Sequence, residues 1–484
     1  QSAGAMTLRL HTPPHPPHPT HVVTARDRAR AAAAGWRPVA AAPFGTNGAD
    51  TPLLMTDGTV MVHVTNATGW YALIPNNRGS YLKGKWKAMA SLPSGYAPLY
   101  FSSAVLPDGK LIVNGGEYNF GQGAETTLGA IYDPLQNAWT NVPPPSGWGS
   151  IGDASNVVLG NGTYMLANCC SSQEALLNEN TLTWTSTGSG KADTNSEEGW
   201  TLLPNGDVLT ADVFGAPNSE LYNPGTGSWS SAGSLPANLT QGDEMGPQVL
   251  RFDGTVFVAG ANSNTAIYNL TTGTWSAGPQ FPVGQGGQLD VADGPATLLT
   301  NGSELIAASP GLYQAPATFL KLSGTKLKII PGPPNAPNDS SYNVRLLMLP
   351  TGQVLETDNS DDVEIYTPGV QPKAGFAPSI TSVPTTLSRG QTYTVKGVHL
   401  NGFSQTNAYG DDATMAENYP LVRLTTSTGR VLFARTHGFS SMAIASPATV
   451  TASFDVPANA PAGSAQLEVV TNGIASTPVS VTIQ

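Results

Sequence analysis

The sequence predicts an all-β fold, a seven-bladed β-propeller followed by an immunoglobulin-like β-sandwich. Three observations carry that prediction. Glycine and proline are abundant and dispersed, 53 and 40 in 484 residues, as many short strands joined by turns require. One phrase, an apolar strand, a two-residue turn ending in glycine and a second apolar strand, recurs seven times. After about residue 376 the phrase stops, and strand-like stretches continue at a different spacing.

The chain opens with Gln1-Ser2-Ala3-Gly4-Ala5-Met6, which reads as a protease-site and cloning remnant. Residues 1–35 read as a mobile tail, because their proline-rich run lacks the apolar content to fold alone. Four histidines, His11, His15, His18 and His21, lie in it. Metal binding is the alternative to a disordered run there.

The recurring turns are Asp57-Gly58, Asp108-Gly109, Asn161-Gly162, Asn205-Gly206, Asp253-Gly254, Asn301-Gly302 and Thr351-Gly352. Asp-Gly and Asn-Gly supply the positive φ angles of tight hairpins. A third strand often holds a tyrosine (Tyr132, Tyr222, Tyr268, Tyr366), and a fourth holds Trp86, Trp139, Trp184, Trp229 or Trp275, with Leu327 in the sixth slot. Four strands repeating near every 50 residues with aromatic anchors are the kelch pattern, so these aromatics are expected in blade cores. The seventh unit ends near Tyr366 without its tryptophan strand, and Gly35-Trp36-Arg37-Pro38-Val39 is such a strand without a hairpin. Joining the two closes the ring and removes an open edge, which places the propeller at 36–370. Stretches at 393–395, 421–424, 450–454 and 465–470 then fit a sandwich over 376–484.

The net charge of -11 and the lack of a dense Lys/Arg cluster argue against a nucleic-acid partner. No apolar run approaches the roughly 18 residues of a membrane span. A monomer is expected. Scarce Cys and Lys and a polar Thr/Ser/Asn/Gly-rich surface point to a secreted or periplasmic protein. Sequons begin at Asn66, Asn161, Asn238, Asn269, Asn301 and Asn338, at a frequency that chance also supplies in such a chain.

Residues just before each innermost strand converge on the axis of a propeller. The position nine residues before each hairpin glycine holds Ala49, Tyr100, Asp153, Glu197, Met245, Asp293 and Asn343, with Asp50, Glu198, Glu244 and Tyr342 beside them. Carboxylates gathered at a narrow mouth repel one another, and a cation, a shared proton or an arginine such as Arg345 relieves them. Alternatively they hydrogen-bond the backbone of neighbouring loops. Loops after the second strands reach the same face with Glu117-Tyr118 and Cys169-Cys170. The adjacent cysteines form a vicinal disulfide in an oxidising compartment, or stay as inert or metal-binding thiols.

Three segments resemble the galactose oxidase and glyoxal oxidase family, secreted copper radical enzymes with a propeller and an appended early-set sandwich. Tyr100-Phe101-Ser102-Ser103-Ala104 is similar to the segment whose tyrosine binds copper and is cross-linked to a cysteine. Ser341-Tyr342-Asn343 resembles the segment with the axial tyrosine and an adjacent histidine. Arg435-Thr436-His437-Gly438-Phe439-Ser440 resembles the sandwich loop that sends another histidine down the axis. The resemblance therefore implies Tyr100, Tyr342 and His437 as metal ligands in one pocket.

The departures are specific. Asn343 stands in the histidine position, Gly48-Ala49-Asp50 has no cysteine for the cross-link, and Tyr118 replaces a stacking tryptophan. Without a thioether the tyrosyl radical loses its usual stabilisation, and without the imidazole copper loses a nitrogen donor. Three functions follow. The pocket binds a carbohydrate or small polyol through Tyr100, Tyr118, Tyr342, Glu117, Glu198, Arg345 and the acids. Alternatively Asp153, Glu197, Glu244 and Asp293 act as general acid and base or hold a divalent ion. In the third reading Tyr100, Tyr342 and His437 keep copper for a different redox reaction. The cofactor is thus copper, another divalent metal ion, or none, and ordinary galactose oxidase activity is not expected.

Overall fold

Each Asx-Gly turn is closed by its own side chain. Asp57 Oδ1 accepts from the Thr59 amide and hydroxyl at 3.0 and 2.7 Å, and Asp253 does the same for Thr255 at 3.0 and 2.7 Å. Gly58 at φ 78 takes the left-handed corner. The computed structural model describes residues 21–412 and 414–484, and within them every hairpin opens its own antiparallel sheet. In the first, Ala49–Leu54, Val60–Val64, Trp70–Ile74 and Lys85–Ala88 pair in chain order. The second of these strands is wholly buried and the fourth mostly exposed, so each sheet runs from a dry centre to a wet rim. Among the described residues seven such sheets follow one another, and the chain is an all-β propeller-type assembly.

The last sheet, Arg345–Met348, Val354–Thr357 and Glu364–Tyr366, takes its outer strand from Trp36–Pro38. Trp36 is fully buried, its ring 4.8 Å from Tyr366 and 5.0 Å from Phe319, and its indole N–H donates to the Pro331 carbonyl at 2.9 Å. The sequence expectation for 1–35 needs a correction at its end. Ala25–Ala34 is a helix with Thr24 as N-cap and Gly35 as left-handed C-cap, and Ala31 is buried. Six alanines in ten residues favour helix, and the composition argument for a tail overlooked that local propensity. A Cβ on Gly35 would stand 2.5 Å from the Thr367 carbonyl, so the turn into the closing strand demands glycine. The His21 amide donates to Asn338 Oδ1 at 2.9 Å, which makes Asn338 a buried anchor of this segment. His11, His15 and His18 lie outside the described residues.

The C-terminal strands, from Ser379–Ser382 to Val479–Ile483, form a sandwich-type unit around Val422, Leu424, Phe454 and Leu467. It sits on the hairpin-turn side of the propeller. Arg435 Nη2 donates to the Asp108 carbonyl at 2.7 Å, and the Met442 amide donates to the Gly160 carbonyl at 3.0 Å. One long sandwich loop, 399–420, leaves this interface and enters the propeller. Within it Asn407–Ala408 pairs with the innermost strand Ala296–Leu298 of the sixth sheet. Asn407 Oδ1 accepts from Thr297 Oγ1 at 2.6 Å and from the Met348 amide at 3.0 Å, tying the loop to two neighbouring sheets.

Candidate functional site

At the ends of the innermost strands opposite the hairpin turns, Tyr100, Glu117, Asp153, Glu197, Glu244, Asp293, Tyr313 and Tyr342 line one pocket. Tyr100 precedes Ser102–Val105, Glu197 precedes Thr201–Leu202, and Asp293 precedes Ala296–Leu298. All three are non-glycine residues in the left-handed region, at φ 52, 58 and 39, and Tyr313 joins them at 57. Such conformations cost on the order of 1–3 kcal/mol each and persist where the surroundings enforce them. In the fifth sheet the residue in phase is Met245, yet the side chain that reaches the pocket is Glu244.

The loop 399–420 forms the floor. A Cβ on Gly410 would stand 2.4 Å from Asp293 Oδ1, and one on Gly199 would stand 2.4 Å from the Gly410 carbonyl. Asp411 and Asp412 are buried beneath the pocket, and Asn156 Nδ2 donates to the Asp412 carbonyl at 3.1 Å. Tyr409 donates its hydroxyl to the Tyr342 carbonyl at 2.7 Å.

So many carboxyls in a dry place hold their protons. Burial, then the Asp153 and Glu125 charges, pushes Glu117 up to about 11. Asp153 rises to about 7 through burial and then Asp412. Burial also takes Glu244 to about 7, opposed by the hydrogen bond from Tyr313. Glu197 and Asp293 are raised well above the carboxylate range by burial and then by Glu244, and Asp411 by burial and then by Asp153. At neutral pH the pocket therefore mixes proton donors with carboxylates that accept.

Four residues named from sequence stand elsewhere. His437 ends the strand Val431–His437 and bonds Asp455 Oδ1 at 3.1 Å through Nε2. The Arg-Thr-His segment continues as a strand paired with Thr449–Asp455, so the descending loop is 399–420 instead, and His437 does not join Tyr100 and Tyr342. Arg345 is fully buried outside the pocket lining, with its guanidinium 3.8 Å from the Tyr409 ring centroid and 3.7 Å from Asp50 Oδ1. It is a positioning cation and makes no direct ligand surface. Glu198 leaves the chain away from its neighbour Glu197 and joins Lys191 at 2.9 Å, where Lys191 also meets Glu220. Tyr118 packs edge-on against Tyr100 at 6.1 Å and supports the pocket wall from outside the lining.

Cys169 and Cys170 are joined as a vicinal disulfide, with Cys169 Sγ 3.4 Å from Glu125 Oε2. Sequence reasoning missed Tyr313, Asp411 and Asp412. Tyr313 follows the second strand of its sheet, as Glu117-Tyr118 does, so comparing those loops across all units would have found it. The two aspartates lie in an irregular loop of another domain, where no periodicity marks them.

The comparisons with known proteins bear on the fold. Neither a protein-family model nor a curated protein matches the sequence. Among solved structures, a novel fungal alcohol oxidase of the AA5 family, in complex with copper, is similar over 93% of this chain and 100% of its own, with a TM-score of 0.55 at 15% identity. The fold is of the galactose oxidase type. A virginiamycin B lyase from Staphylococcus aureus covers 69% of this chain and 98% of its own at 10% identity, with a TM-score of 0.48.

Copper of the AA5 kind does not fit the residues present. Among the described pocket residues there is no imidazole and no thiol. Asn343 Oδ1 accepts from the Ser340 amide at 3.2 Å and caps a short helical turn. The donors left are carboxyl and phenol oxygens, a set that copper(II) does not select.

Proposed function

We propose that this protein binds a hydroxyl-rich small ligand, a carbohydrate or polyol, at the mouth of the acidic axial pocket, without copper-radical oxidase chemistry. The observation that carries the reading is the lining itself, which offers only carboxyl and phenol groups. Protonated and ionised carboxyls side by side can donate to and accept from the same sugar hydroxyl. The free space is ≈ 20 Å³, about one water, so a hydroxyl enters the pocket while the ligand body rests outside against Tyr313, the lining tyrosine that is only half-buried. A secreted or periplasmic setting is part of the proposal, and the Cys169–Cys170 bridge supports an oxidising compartment.

A second reading, acid–base catalysis on such a ligand, is favoured by one feature. Glu244 and Asp153 are placed at about 7 while Glu117 is pushed to about 11, and separated proton affinities assign donor and acceptor roles. Titration calorimetry of the full chain against neutral sugars and polyols tests the proposal. Saturable binding weakened at least about tenfold in Tyr313→Phe is expected, because the substitution removes the phenol that fixes Glu244. Absence of binding to every sugar and polyol offered would overturn it.

A further inference from the structure

The pocket holds two carboxylate triads that share one residue. One oxygen each of Glu197, Glu244 and Asp293 lie within 4.8 Å of one another, and so do oxygens of Asp153, Glu197 and Asp411. Acidic groups alone are common without an ion. Here a second observation accompanies them, because two buried oxygens in these triads have no donor other than a neighbouring carboxyl of the cluster itself. They are Glu244 Oε2 and Asp411 Oδ2, on residues 1% and 2% exposed. The other oxygen of each is satisfied, Glu244 Oε1 by the Tyr313 hydroxyl and Asp411 Oδ1 by the Asp412 amide at 2.8 Å.

Leaving buried acceptors without a donor costs about 1–3 kcal/mol apiece, more when they are charged. No cationic side chain relieves them among the described lining residues. Arg345 stands behind the lining, over the Tyr409 and Tyr100 rings and beside Asp50, where its charge eases Asp293 from outside, and Lys191 bridges Glu198 and Glu220. Oxygens on opposite sides of a calcium ion stand about 4.6–5.2 Å apart, twice the usual bond length, and the ion takes six to eight oxygen donors in irregular geometry. Five carboxylates from four propeller loops and one sandwich loop suit such an ion better than they suit a nitrogen-seeking metal.

We propose that the triads around Glu197 form a site for a hard, oxygen-preferring divalent cation of the calcium class, closed from below by Asp411 of the sandwich loop. The inference deepens the ligand-binding reading, since the cation's outer positions would take ligand hydroxyls, but cation uptake is a separate measurement. Asp411 also gives the appended sandwich a role at the opposite face of the propeller. Shared protons between the carboxyls are the competing way to relieve the same crowding.

The experiment uses the full chain stripped with a chelator and titrated at pH 7.5 with calcium chloride alone, followed by terbium luminescence. Tyr100, Tyr313 and Tyr342 stand in the same pocket, so terbium bound there is sensitised by tyrosine and displaced by calcium. Expected are saturable calcium uptake, sensitised terbium emission, and at least about a tenfold loss of affinity in Glu197→Gln. Asp411→Asn, nearly isosteric, should show the same loss with unchanged circular dichroism, which keeps the test valid if Glu197→Gln does not fold. Failure to take up calcium or terbium up to millimolar concentrations, or uptake untouched in a folded Asp411→Asn, overturns the site. Sugar binding that survives chelator, in a protein that takes up no calcium, refutes the cation and leaves the ligand reading intact. Calcium uptake without any sugar binding does the reverse.

Discussion

Glu417 fastens the loop that floors the pocket, and its proton makes that fastening sensitive to pH. The carboxyl is 1% exposed and accepts from the Asn472 amide at 3.1 Å and from Asn472 Nδ2 at 3.2 Å. Asn472 Nδ2 in turn holds the Ser404 carbonyl and Thr406 Oγ1 at 2.9 and 2.7 Å. Burial, opposed by the hydrogen bonds of Thr406 and Asn472, raises Glu417 from its ordinary 4.5 to about 8. The unfolded chain therefore releases this proton near pH 4.5 while the folded chain keeps it to about pH 8. Between those values the folded state binds more protons, so its stability falls as pH rises. The contribution is whole below pH 4.5 and is lost as pH climbs through about 8. At about 1.4 kcal/mol per pH unit, the window from about pH 5 to about pH 8 carries on the order of 4 kcal/mol. Glu417→Gln cannot titrate, and its NH₂ facing two donors adds a penalty of about 1–2 kcal/mol that is independent of pH. Denaturant unfolding of parent and variant at pH 5, 6.5, 8 and 9 checks the sign. The parent should lead at pH 5 and lose that lead by pH 8. A difference between the two that stays constant across this range would show that Glu417 is ionised in the fold and that the reasoning is wrong.

Trp36→Ala removes the buried ring that seats the closing strand, and a loss of about 3–5 kcal/mol in denaturant unfolding is expected; a loss below about 1 kcal/mol would mean the strand is not needed for closure. His437→Ala breaks a half-exposed pair with Asp455, so it should cost about 1 kcal/mol or less and leave sugar affinity unchanged; a lost affinity would restore His437 to the pocket. Copper-loaded protein assayed in air with galactose, methylglyoxal and glyoxal should yield no hydrogen peroxide above free copper. Turnover together with a tyrosyl-radical absorption lost in Tyr100→Phe would contradict the poor fit of the pocket to copper.

Elements that depend on neighbours in the chain were legible in the residues alone. The Asx-Gly pairs specify their turns through the side chain two residues away, and the alternation around them marks the strands. Trp36 without a hairpin and Tyr366 without a tryptophan strand even announced their pairing, because an open sheet edge must find a partner. In-phase counting from the hairpins likewise reached Tyr100, Asp153, Glu197 and Asp293, since one repeated geometry carries each to the axis. Folding in three dimensions settles the places where that repetition fails. Glu197 and Glu198 are adjacent acids with opposite fates, and only the place of Lys191 tells them apart. His437 matched a motif but continues a strand and pairs with Asp455. Asp411 reaches the pocket from another domain along a loop anchored by Asn407, Glu417 and Asn472. Local patterning encodes a strand and its turn, whereas the path of an irregular loop is set by the distant polar groups that must satisfy its backbone.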